Sequence, residues 1–157
     1  MTLADWHILK EDIYYRDGSW RDIYVPAATQ DDWSKWIDLV NQKYPVEFYN
    51  GQTQLTEVFI NKSVVFHYWN RKTDFLNGAT IKLGSIAVKC HFFTTQQIEN
   101  DIDPGEIKTI EDHFRVVDYL IEISRLLNQI VILTAENQSD LVYISVEKHH
   151  VKINVKW

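Results

Sequence analysis

Four carboxylates, Glu99, Asp101, Asp103 and Glu106, fall within eight positions, just after the apolar run Cys90-His91-Phe92-Phe93 and two threonines. Such a segment offers three kinds of chemistry: a hard-cation site, proton transfer between paired carboxyls, or an anionic patch for a cationic partner. A calcium loop counted from Asp101 fails. It puts Glu106 where glycine is required and Asp112 where a bidentate Glu is required, with Pro104 inside. Like charge at this density resists burial unless paired. The stretch 96–106 is therefore expected at the surface, as an acidic turn contributing to a partner site. The competing role is structural, with the carboxylates capping the turn before Thr109.

Arg21 and Asp22 are the other candidate partner-binding residues. They stand beside Trp20, and an aromatic next to an arginine can anchor an interface. Trp6 and Trp69 are further exposed aromatic candidates. The simpler reading pairs Tyr15 with Trp20 across an Asp17-Gly18 hairpin turn.

No metal-ligand spacing such as C-x-x-C or H-E-x-x-H is present, so no metal and no cofactor are expected. His67, in line with Val65 and Trp69, reads as a core histidine. His149-His150 reads as a surface pair in a turn. Cys90, in phase with Ile86, Val88 and Phe92, reads as a small buried residue, while His91 points to the opposite face. The chain has no nucleophile elbow and no glycine-rich phosphate loop.

Composition narrows the class. The 157 residues fit one domain, spanning 1–157, and the net charge is −6 with one cysteine. That charge disfavours non-specific binding to nucleic acid or anionic lipid and suits a basic protein partner. One cysteine suits a reducing compartment. No apolar run approaches the ~20 residues of a membrane span and no signal-peptide pattern is seen, so the expected location is the cytoplasm. The oligomeric state is left open.

The elements that must position these residues follow from periodicity. Runs 6–16 and 19–25 read as a hairpin. Thr29 caps a helix over about 30–43, with Trp33, Trp36, Ile37 and Val40 on one face. Val64–Trp69, apolar on both faces, reads as a central strand. Residues 80–83 and 85–93 read as strands bent at Gly84. Thr109 and Asp112 open a helix over 110–129, whose buried side includes Phe114, Val117 and Leu120. Strands follow at 130–134, 141–147 and 151–157. The order ββ-α-β(several)-α-βββ predicts an α+β fold with a mainly antiparallel sheet and two main helices.

Arg21-Asp22-Ile23-Tyr24-Val25, the Cys90–Glu106 stretch and Leu126-Leu127-Asn128 with Val131–Asn137 together resemble a widespread group of small bacterial proteins of unassigned function. The end of the second helix and the strand after it are similar to polymorphic-toxin immunity proteins. The resemblance implies no particular active site. The resulting expectation is a non-enzymatic protein-binding module, immunity- or inhibitor-like. The alternative is a small enzyme or ligand-binding protein whose site, drawing on His67 or His91 and carboxylates, assembles only in the fold.

Overall fold

Thr2 and Asp5 satisfy each other's backbone N–H groups in a capping box, which starts helix α1 (Leu3–Asp12). The computed structural model describes residues 1–72 and 74–157. Trp6, Leu9 and Ile13, at i, i+3 and i+7, are buried. The expected first hairpin is therefore absent. The aromatic content of 6–16 suggests a strand, but the Thr2-x-x-Asp5 start signal outweighs it.

A second helix replaces an expected strand. Asn61 accepts the Val64 N–H and caps α3 (Lys62–Trp69). Val64 and Val65 are buried and His67 is exposed, so His67 is not a core histidine. A six-residue apolar run does not separate buried strand from buried helix. Here the asparagine cap, together with a ring contact of Trp69 on Trp33 at 5.0 Å, favours the helix.

The two anticipated helices form where expected. The Thr29–Asp32 box starts α2 (Gln30–Lys43) and the Thr109–Asp112 box starts α4 (Ile110–Leu127). Asn128 ends α4 in the left-handed region, at φ 53°. Val117 and Leu120 are buried as expected, but Phe114 is 44% exposed, and Val116, Tyr119 and Ile123 fill the core instead.

Among the described residues, nine strands build the sheet: β1 (Arg21–Val25), β2 (Val46–Asn50), β3 (Leu55–Glu57), β4 (Gly78–Leu83), β5 (Ile86–Cys90), β6 (Ile98–Ile102), β7 (Ile130–Ala135), β8 (Gln138–Glu147) and β9 (His150–Ile153). Every pairing is antiparallel, in the order β3-β2-β4-β5-β6-β1-β7-β8-β9. The fold is α+β. Its element order, α-β-α-ββ-α-βββ-α-βββ, replaces the expected one. The last strand stops at Ile153 rather than at Trp157.

The helices gather on one face. The Trp36 indole donates to the Tyr119 hydroxyl (3.1 Å), which donates to Asn100 Oδ1 (2.6 Å), so α2, α4 and β6 share one buried chain of hydrogen bonds. Phe92 packs against Trp33, Trp36, Phe48 and Trp69. The Tyr14 hydroxyl, just beyond α1, meets His113 Nδ1 of α4 at 2.8 Å. Removing Trp36 by substitution with Ala would cost about 3–5 kcal/mol, the usual figure for a fully buried large aromatic.

Cys90 is 1% exposed, and burial pushes its thiol well above the ordinary range. Native protein should react with a thiol reagent only at the rate of unfolding, whereas fast labelling without denaturant would place Cys90 elsewhere. Burial also lowers His113 to about 4. The unfolded chain, with His near 6.5, then binds more protons between those values. Stability should fall as pH drops from about 6.5 toward 4, and the slope should be smaller in His113→Gln, as thermal melts across that range would show.

Candidate functional site

Alternation along each strand sends one set of side chains to the helices and the other set to the opposite face. Among the described residues, no helix packs on that opposite face. From β1 and its preceding residue it receives Trp20, Asp22 and Tyr24. From β6 come Glu99 and Asp101, and from β5 and its extension Lys89 and His91. Glu47 and Tyr49 of β2, Thr80 of β4 and Glu136 after β7 complete it.

The middle of this face is where the structure departs most from the expected acidic turn. Ile98–Ile102 is not a turn but an interior strand, with Ile98, Asn100 and Ile102 buried on the helix side and Glu99 and Asp101 on the other. Glu, Asn and Asp are poor strand formers in isolation, yet packing on both neighbours overrides that preference. The register puts Asp22 directly opposite Asp101, and Tyr24 opposite Glu99.

Arg21 and Asp22 are not exposed. Arg21 is 1% and Asp22 2% accessible, because β1 lies inside the sheet rather than in an edge hairpin. Arg21 turns to the helix side. There its guanidinium donates to the carbonyls of Ile13, Tyr15 and Trp20 and to Ser19 Oγ, and it lies 4.5 Å from the centre of the Tyr15 ring. Tyr15 does not pair with Trp20; its hydroxyl meets that of Tyr143 at 2.9 Å. Asp22 lies under the turn between β7 and β8. Its Oδ2 accepts the Tyr24 hydroxyl (2.9 Å) and the Asn137 N–H (2.7 Å).

Carboxyl oxygens of Asp22, Glu99 and Asp101 lie within 4.8 Å of one another. Burial, and then the neighbouring Asp22 carboxyl, raise Asp101 to about 7, with Glu99 and Glu136 adding to the effect. Burial followed by Asp22 also raises Glu99. Tyr24 is pushed up by burial and by the Asp22 carboxylate that accepts its hydroxyl. Like charges directly opposite on adjacent strands are unfavourable, and the cluster relieves this by holding a proton on Asp101 near neutrality. Three such oxygens could ligate a hard cation, although Asp22 already has two donors.

The other predicted residues separate from this cluster. Asp103 is exposed at the end of the face, close to Arg16 and Trp20, and its Oδ1 accepts the Gly105 N–H (2.8 Å) as the cap of a short 3-10 turn over Pro104–Glu106. Glu106 accepts the Ala87 N–H of β5 (3.1 Å). His91 is exposed, and its Nε2 is 3.9 Å from Asp101 Oδ2. His149 and His150 are exposed at the β8–β9 turn. Trp20 is 38% exposed, whereas Trp6 is buried and Trp69 is half-buried, donating to the Phe92 carbonyl.

A groove of about 560 Å³ crosses the strands here, with Trp20, Tyr49, Lys89, His91, Asp101 and Glu136 among its lining residues. Sequence reading misses Glu47, Tyr49, Lys89 and Glu136 as members of a site. The signal for three of them is their phase: Glu47 and Tyr49 alternate with buried Val46 and Phe48, and Lys89 with buried Val88 and Cys90. Comparison with known proteins finds no matching family model, no matching curated protein and no matching solved structure.

The raised Asp101 has a consequence for stability. Its folded value, about 7, lies above the 3.8 of a free Asp. The native state therefore binds more protons between those values, and stability contributed by Asp101 is lost as pH rises through about 7. Asp101→Asn should raise the melting temperature at pH 8 and have little effect near pH 4. A lower melting temperature at pH 8 would show that the ionised carboxylate supports the fold.

Proposed function

We propose that this chain is a non-enzymatic protein-binding module whose helix-free sheet face docks a basic protein partner, in the manner of an inhibitor or immunity protein. The observation that carries this reading is the Asp22–Glu99–Asp101 cluster on an uncovered face. Those carboxylates oppose one another in the free chain, so they serve the fold poorly, and a cationic surface would relieve them. Aromatic Trp20 and Tyr49 beside the cluster supply the kind of area that anchors interfaces. A negative face also steers a basic partner, with an association rate that falls as salt screens the field.

A second reading, a small enzyme or ligand binder, is favoured by one feature, the approach of His91 to Asp101 in a groove large enough for a small molecule. Single-turnover chemistry abolished by both His91→Gln and Asp101→Asn would favour it over docking.

The docking reading is tested by immobilising the wild-type chain beside the Asp101→Asn, Glu136→Gln double variant and exposing both to lysate of the source cell. The wild type should retain a basic protein, released as ionic strength rises toward roughly 1 M, where screening acts over about 3 Å. The double variant should retain at least about tenfold less, as the loss of 1.4 kcal/mol would give. Asp103→Asn, which alters only the cap of the 3-10 turn, should bind like wild type. Equal retention by the wild type and the double variant would sink the reading.

A further inference from the structure

The inference rests on the docking reading and narrows the partner's chemistry. We propose that the groove beside Trp20 seats one arginine side chain of the basic partner, with the guanidinium against aromatic surface and shared among separated carboxylates. Three observations converge on this. First, the groove, about 560 Å³, is open and far larger than the end of one side chain, so a whole arginine and part of its backbone fit. Second, Trp20 and Tyr49 are 38% and 46% exposed and both line the groove. Third, the acceptors are free. Among the described residues, the Glu47 side chain makes no ion pair or hydrogen bond, and Glu136 uses only Oε2, on the Trp20 N–H.

The choice of arginine over lysine follows from geometry and hydration. Carboxylates on β2, on β6 and after β7 are spread around the groove, which suits a planar fork of donors better than a compact point charge. The wall formed by β4 and β5 already carries an ammonium, Lys89 Nζ, bonded to Thr80 Oγ1 at 2.9 Å. That charge repels either cation, but a guanidinium is more weakly hydrated than an ammonium, loses less on leaving water, and stacks on aromatic rings. A second copy of this chain is disfavoured as the occupant by its own net charge of −6.

The test uses the 157-residue chain labelled with ¹⁵N at pH 8, above the value of about 7 at which Asp101 ionises, and three blocked tripeptides: Gly-Arg-Gly, Gly-Lys-Gly and Gly-citrulline-Gly. The arginine peptide should shift the Trp20 indole and the Gly78 and His91 amides saturably, with an affinity on the order of millimolar. Citrulline, equal in shape but uncharged, should leave them unmoved, and lysine should bind more weakly. Glu47→Gln with Glu136→Gln should weaken arginine binding by ~5-fold or more, and so should Trp20→Ala. Trp20→Phe replaces the latter if it unfolds, and should retain part of the binding. Absence of shifts in the groove, equal binding of citrulline, or lysine binding as tightly as arginine would overturn the proposal. If the immobilised chain still loses its partner on Asp101 and Glu136 substitution, only the arginine seat falls. If neither experiment depends on these residues, the docking reading falls with it.

Discussion

Strand β1 is hydrogen-bonded on both sides, to β6 and to β7, although it follows the first helix and precedes every other strand. It cannot leave without opening the sheet at its centre. Its two faces carry opposite charges to opposite sides. Arg21 faces the helices, where backbone carbonyls and the Tyr15 ring accept it, and its Nε donates to the carbonyl of Ile13, just past α1. Asp22 faces away, beneath the β7–β8 turn. A buried charge is tolerated when hydrogen bonds satisfy it, and each here has its own donors or acceptors rather than the other as a partner. The alternation of one strand therefore produces both a tie to α1 and the acidic centre of the exposed face.

The two faces also differ in how well their polar groups are matched. On the helix side, the Trp36, Tyr119 and Asn100 chain and the Tyr14–His113 contact are buried, and Trp36 Nε1, the Tyr119 hydroxyl, Asn100 Oδ1, the Tyr14 hydroxyl and His113 Nδ1 each meet a partner. Such networks fix one packing of helices on sheet. On the other side, Asp22 and Asp101 stand opposed with Glu99 and Glu136 near, and Lys89, opposite Asp101 in register, gives its ammonium hydrogen bond to the Thr80 hydroxyl. Asp22 is held there by the Tyr24 hydroxyl and the Asn137 N–H, but among the described residues Asp101 opposite it has no such donors to offset the repulsion. The mismatch is confined to the uncovered face, where its relief by another molecule costs no rearrangement of the core.

Local signals in the sequence are enough for the parts built from neighbours. Thr29 with Asp32 and Thr109 with Asp112 mark both long helices because a capping box closes over three residues. Gly84, at φ 62°, bends β4 into β5 as anticipated. Short segments are harder. Residues 6–12 and 64–69 are apolar and aromatic enough for either structure, and there the weaker cues at Thr2, Asp5 and Asn61 decide. The site is least legible. Asp22 and Asp101 meet only because β1 inserts beside β6, joining segments some 75 residues apart, as in the Tyr24–Glu99 contact. Glu136 comes from a third segment. The acidic density at 99–106 reads as a turn, whereas its first half is a strand and its four carboxylates divide, with Glu99 and Asp101 in the cluster, Asp103 capping the 3-10 turn and Glu106 bonded to β5.

Charge, protonation and binding are linked through Asp101. A cation placed beside it favours the ionised form and lowers its pKa from about 7 toward the ordinary carboxylate range. Near neutrality, such a cation therefore displaces a proton as it arrives. The same contact adds stability to the folded chain, because whatever binds the native state alone shifts the folding equilibrium toward it. The benefit grows above pH 7, where the free chain must carry Asp101 ionised beside the Asp22 carboxyl, and shrinks below it, where the proton on Asp101 already does the neutralising. A neutral partner relieves none of this repulsion and adds the cost of removing the carboxylates from water. The electrostatics of the face therefore favour cationic occupants by penalising the others, independent of how closely any of them fits the groove.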